Sequence, residues 1–76
     1  MRKPVKDFYG KIIGSLEDTP DAIIARDFYG KILGRYDKKM SVTKDFYGKI
    51  IATGDLTSAL VWQAYNEQQA KNKGTN

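Results

Sequence analysis

The chain has 76 residues and a formal net charge of +4, one small domain whose core supplies only about 3 to 5 kcal/mol, so oligomerisation is expected. It contains no Cys and no His, which excludes disulfides, thiolate metal sites and the usual zinc ligands, and removes the commonest general base. No apolar run approaches membrane-spanning length and the N-terminus lacks an apolar signal region, so the expectation is a cytoplasmic, non-enzymatic protein with no cofactor and no membrane partner.

The chain opens on the first of three copies of Asp-Phe-Tyr-Gly-Lys-Ile, at 7–12, 27–32 and 45–50. A cation precedes each copy (Lys6, Arg26, Lys44), an aliphatic pair follows its lysine (Ile12-Ile13, Ile32-Leu33, Ile50-Ile51), and the unit closes with Gly14, Gly34 or Ala52. Such a unit cannot bury its own apolar face and must stack on its neighbours. Within each copy, Asp stands before a turn, Phe and Tyr form its centre, and Gly takes the left-handed position, which predicts a type I turn with a glycine bulge. Asp7, Asp27 and Asp45 are then expected to form cross-strand ion pairs with Lys11, Lys31 and Lys49.

Strict alternation from these turns sorts the side chains by face. Lys6, Ile12, Gly14, Leu16, Ile24, Arg26, Ile32, Gly34, Tyr36, Val42, Lys44, Ile50 and Ala52 share the more apolar face, the predicted core. Val5, Ile13, Ile23, Ala25, Leu33, Thr43 and Ile51 share the other, among Asp7, Lys11, Arg35 and Asp37. The connectors Glu17-Asp18-Thr19-Pro20-Asp21 and Asp37-Lys38-Lys39-Met40 read as a loop and a turn.

After Gly54 the pattern becomes helical, with Asp55 or Thr57 as N-cap and no Gly or Pro from Leu56 to Ala70. Its apolar stripe reads Leu56, Ala59, Leu60 and Ala64, flanked by Val61, Trp62 and Tyr65, which predicts first turns buried on several sides. The expected fold is therefore α+β: one domain over 1–76, with an antiparallel meander of three β-hairpins (six short strands) over 5–54. A helix over 55–71 packs on the face of Ile12, Ile24, Ile32, Val42 and Ile50, and 72–76 form a flexible tail.

The unit Asp7-x-x-Gly10-Lys11-x-Ile13-Gly14-x-Leu16, repeated at Asp27, Gly30, Lys31, Leu33, Gly34 and Tyr36, resembles the hairpin petals of the four-fold β-flower proteins. Those petals run Tyr-Asp-x-x-Gly-Lys-x-Val-Gly-x-Ile. The third copy keeps Asp45, Gly48, Lys49 and Ile51 and departs at Ala52. The unit is also similar to the Asp-x-x-Gly-Arg-Leu core of tyrosine-aspartate repeats and, more distantly, to the aromatic hairpins of choline-binding repeats. The resemblance implies repeated β-hairpins and no particular activity.

Aromatic turn centres are unusual, because turns are normally polar. Phe8, Tyr9, Phe28, Tyr29, Phe46 and Tyr47 serve either as a recognition surface or as covers folded over Gly14, Gly34 and Ala52 of neighbouring hairpins. With Ile13, Leu33 and Ile51 on the face away from the helix, they make the candidate interaction surface of a small module for protein–protein interaction or self-assembly. A homo-oligomer, with a dimer favoured, is the expected partner state, and another protein is a second partner class. Single-stranded nucleic acid is the alternative partner, contacted by Lys6, Lys11, Arg26, Lys31, Lys44 and Lys49 beside the rings. The three turn aspartates are fully explained as turn formers, so no metal site is predicted.

Overall fold

The computed structural model describes residues 1–74. Six strands, β1 (Arg2–Lys6), β2 (Ile12–Asp18), β3 (Ala22–Asp27), β4 (Ile32–Asp37), β5 (Val42–Asp45) and β6 (Ile50–Thr53), form one antiparallel sheet in chain order. One helix, α1 (Thr57–Gly74), follows and packs against β2, β3 and β4. The α+β meander of hairpins is as the sequence predicts. The helix continues three residues past its expected end at 71, through positions assigned to the tail, and 75–76 lie outside the described residues.

Each repeat folds into the same turn. The Gly10, Gly30 and Gly48 N–H groups donate to the carbonyls of Asp7, Asp27 and Asp45, and those aspartates' own N–H groups donate to the carbonyls of Lys11, Lys31 and Lys49. The glycines sit at φ between +82° and +86°, a region nearly closed to side chains bearing a β-carbon.

A second irregularity follows each turn. Lys6 stands opposite Ile12 but Val5 stands opposite Gly14, so Ile13 is an extra residue, a β-bulge. The pairings Arg26 with Ile32 and Ala25 with Gly34 make Leu33 its equivalent, and Lys44 with Ile50 and Thr43 with Ala52 do the same for Ile51. The bulge breaks the period of two, and this overturns the predicted faces. Gly14, Leu16, Gly34, Tyr36 and Ala52 join Val5, Ile23, Ala25 and Thr43 on one side of the sheet, and Ile12, Ile24, Ile32, Val42 and Ile50 are left on the other with Lys6, Arg26 and Lys44.

The helix covers the first side, opposite to expectation. Ile13, Ala25 and Val61 form the buried core, with Val5, Leu16, Leu33, Leu60, Trp62 and Tyr65 packed around it. The face proposed to join two copies is thus the face the helix occupies. The core is thin because Gly14, Ala25 and Gly34 let the helix approach the sheet closely: Val61 Cγ1 lies at 2.5 Å, and Leu60 Cδ1 at 2.8 Å, from where β-carbons on Gly14 and Gly34 would stand.

The helix seam also differs from the predicted stripe. Thr57 and Val61 are buried and Tyr65 is half-buried, an i, i+4, i+8 line, whereas Leu56 and Ala59 are exposed. In its first two turns only one side of the helix is covered, contrary to the expected burial on several sides. Its start is fixed by polar contacts. The Asp55 carboxylate accepts the Thr57 N–H at 3.0 Å and the Thr57 hydroxyl at 2.6 Å. The fully buried Thr43 hydroxyl donates to the Gly54 carbonyl at 2.6 Å and accepts the Leu56 N–H at 2.9 Å. Among the described residues no helix is long and apolar enough to cross a membrane.

Candidate functional site

Because the sheet is an antiparallel meander, the three hairpin turns lie at one end of it. Equivalent turns are two strands apart, roughly 10 Å at the usual spacing between strands. Their backbones are internally satisfied. Asp7 Oδ1 accepts the Tyr9 and Lys11 N–H groups at 2.9 Å, and Asp27 and Asp45 do the same for Tyr29, Lys31, Tyr47 and Lys49. With the main chain closed on itself, the central Phe and Tyr project outward: the six rings are between 58 % and 94 % exposed.

The reading in which these rings cover the small residues of neighbouring hairpins is overturned. Gly14 is crowded by the Arg26 carbonyl and Val61, and Gly34 by the Lys44 carbonyl and Leu60. The rings contact one another instead. Phe28 and Tyr29 meet edge to face with centroids 5.3 Å apart and planes at 86°, and Phe46 and Tyr47 repeat this at 5.3 Å and 82°. Phe8 turns to Trp62, 5.5 Å away, and Trp62 meets Tyr65 edge to face at 6.0 Å.

The electrostatics also depart from expectation. The predicted ion pairs of Asp7, Asp27 and Asp45 with the following lysines do not form, since each carboxylate is engaged by turn N–H groups. Burial pushes the Asp7 carboxyl up, but the N–H donors of Lys11 and Tyr9, the Tyr65 hydroxyl at 3.4 Å and the Lys11 charge outweigh it and hold it below its ordinary value. Arg26 pairs with Glu17 at 3.2 Å and Lys44 with Asp37 at 3.5 Å across the helix-free face. Among the described residues Lys6, Lys11, Lys31 and Lys49 have no acidic partner. With Arg26 and Lys44 paired to Glu17 and Asp37, the other four lysines against the three turn aspartates leave this end a net charge of +1.

Of the remaining candidates, Ile13 is in the core, Leu33 is half-buried beneath the helix, and Ile51 stays exposed. The three aspartates stand on three separate tips, and no cluster of acidic side chains able to hold a metal occurs among the described residues.

Two clefts separate adjacent tips and are related by one repeat. In the first, of about 210 Å³, Ile12 of one hairpin faces Phe28 and Tyr29 of the next, with Lys11, Tyr65 and Gln68 around them. In the second, of about 280 Å³, Ile32 faces Phe46 and Tyr47, beside Arg35. Sequence reasoning missed the helix's share of this site, because Tyr65 reads as a core flank and Gln68 as solvated. The Gln68 amide reaches the Tyr29 hydroxyl at 3.5 Å. No family model, curated protein or solved structure matches the chain.

Proposed function

We propose that the protein is a non-enzymatic binding module whose working surface is the row of hairpin tips, and that its partner is a single strand of RNA or DNA. One observation carries this reading: six exposed rings alternate with four lysines that have no acidic partner among the described residues. The turn aspartates lower the net charge, but their inner oxygens face the turn amides rather than the lysines. Cations draw in the phosphates and rings stack the bases, a combination that binds single strands with little dependence on sequence.

A salt titration of oligonucleotide binding tests it. Four lysine–phosphate contacts on a single strand give a slope of log K against log salt of about −3. A flat dependence, or no binding at low salt, overturns the reading.

Protein–protein interaction draws support from a different observation. Ile12, Ile32 and Ile50 are partly exposed on the helix-free face, each opposite a cation, Lys6, Arg26 or Lys44. Self-assembly through that face would bring the cations Arg26, Arg35 and Lys44 against the same set on a second copy, while Glu17 and Asp37 are engaged in ion pairs. An acidic partner chain suits it better than a second copy.

A further inference from the structure

We infer that the two clefts between adjacent hairpin tips are base-binding subsites, each taking one nucleobase of a single strand against the ring of Tyr29 or Tyr47. This rests on the reading above and assigns the contacts within it. The clefts share one design, lined by an isoleucine from the preceding hairpin and a Phe–Tyr pair from the following one, to which the first adds Tyr65 and Gln68 from the helix and the second Arg35 and Asp45. The edge-to-face geometry of the two pairs agrees within 4° and in centroid distance, so each tyrosine is held in an orientation that its partner phenylalanine supports. A planar ring slotted between an aromatic face and an aliphatic wall loses water on both sides, and stacking of this kind accepts any base.

Size and charge narrow the occupant. At about 210 and 280 Å³ the clefts fall below the usual range for drug-sized ligands, which starts near 300 Å³, and suit one ring system each. Lys11 borders the first cleft, and Arg35 borders the second together with Asp45, whose inner oxygen is held by the Tyr47 and Lys49 N–H groups; Lys11 and Arg35 meet the phosphate attached to a seated base. Gln68 in the first cleft offers an amide to a base edge.

The first tip supplies an internal control. Phe8 and Tyr9 are the most exposed of the six rings, yet β1 is an edge strand of the sheet, so among the described residues no isoleucine of a neighbouring hairpin walls this tip, and Phe8 leans on Trp62. General stickiness of exposed aromatics makes Tyr9 at least as important as Tyr29 and Tyr47. Cleft binding makes it dispensable.

The experiment compares Tyr9→Ala, Tyr29→Ala and Tyr47→Ala by fluorescence anisotropy, using a labelled mixed-sequence single strand of about twelve nucleotides. Heparin serves as a polyanion without bases, and sedimentation with phosphatidylserine vesicles tests an anionic membrane surface. Circular dichroism melts establish that each variant stays folded, as expected for side chains this exposed. Tyr29→Ala and Tyr47→Ala each weaken oligonucleotide binding by about tenfold and leave heparin binding unchanged. Tyr9→Ala changes neither by more than about twofold, the effect of losing one exposed contact. Equal losses at all three tyrosines, or none at Tyr29 and Tyr47 while the wild type still binds the oligonucleotide, overturn the cleft assignment and leave the broader reading standing. Wild-type binding to vesicles with none to the oligonucleotide overturns both.

Discussion

Val61 Cγ1 stands 2.5 Å from the point that a β-carbon on Gly14 would occupy, with the Arg26 carbonyl oxygen equally close on another side. Gly34 repeats the arrangement with Leu60 and the Lys44 carbonyl. The glycine that closes a repeat is therefore crowded both by the helix above and by the backbone of the next hairpin. Ala52 holds the equivalent place on β6, an edge strand with no hairpin beyond it. That difference in surroundings accounts for the departure of the third copy from the first two.

Gly14→Ala is accordingly expected to destabilise the fold by about 1 to 3 kcal/mol through overpacking, lowering the melting temperature by several degrees in a domain of this size. Ala52→Gly loses only the strand penalty of glycine, roughly 0.5 to 1 kcal/mol. Thermal melts followed by circular dichroism check both. Equal melting temperatures for Gly14→Ala and the wild type would show that the helix is not seated on this glycine.

Much of this arrangement was legible in the sequence, and one part was not. Asp7, Gly10 and Lys11 have the chemistry of one particular turn, so three hairpins and their order follow directly, and the loss of Gly and Pro after Gly54 marks the helix. The faces do not follow, because Ile12-Ile13 contains no residue that announces a bulge; both are good strand formers, and only the packing of the helix selects which one turns inward. Alternation carried past that point inverts the assignment of Gly14 and Leu16. At the tips, the residue types were legible but their exposure was not, since an aromatic turn centre is equally suited to covering a neighbour or to projecting.

Thr43 ties the sheet to the helix start. Its hydroxyl is the partner of both the Leu56 N–H and the Gly54 carbonyl, inside a fully buried side chain. Thr43→Val keeps the shape and leaves both groups without that partner, at an expected cost of about 1 to 3 kcal/mol. Thr43→Ser keeps both bonds and loses one methyl, about 1 kcal/mol. Amide exchange at Leu56 separates the two: faster exchange in the valine variant and near wild-type protection in the serine variant are expected, and matching rates would deny the hydroxyl its role.

Acid should weaken the fold in a defined window. The Lys38 ammonium, by hydrogen bond and charge, lowers the Asp18 carboxyl below its ordinary value of 3.8. The Met40 N–H leads the influences that lower Asp37, outweighing burial with help from Lys44 and the Lys39 N–H. Asp7 is lowered in the same direction. A carboxyl whose pKa is lower folded than unfolded stabilises the fold fully above its unfolded pKa, and that stability is lost as pH falls through 3.8 and the lowered folded values. With no His in the chain, no side chain with an ordinary pKa titrates between about pH 5 and 8. Urea midpoints should be level over that range and decline below about pH 4, with a shallower decline in Asp18→Asn. A midpoint that rises on acidification would contradict the assignment.

The adjacent residues Ile12 and Ile13 give the most direct test of the fold's handling of the bulge. Ile13 is 3 % exposed beneath the helix and Ile12 is 46 % exposed on the opposite side. A glutamate at position 13 loses the burial of an isoleucine and places a carboxylate among Ala25 and Val61, which is expected to cost more than about 4 kcal/mol, most of the stability of so small a domain. A glutamate at position 12 reaches solvent and stands opposite Lys6, where a cross-strand ion pair offsets part of the lost apolar contact, so the change should stay within about 1 kcal/mol. Uninterrupted alternation from the turn predicts the reverse order. Urea denaturation of Ile12→Glu and Ile13→Glu decides between them: a folded Ile12→Glu beside an unfolded Ile13→Glu upholds the bulge, and the opposite result would return Ile12 to the core and move the helix to the other face of the sheet.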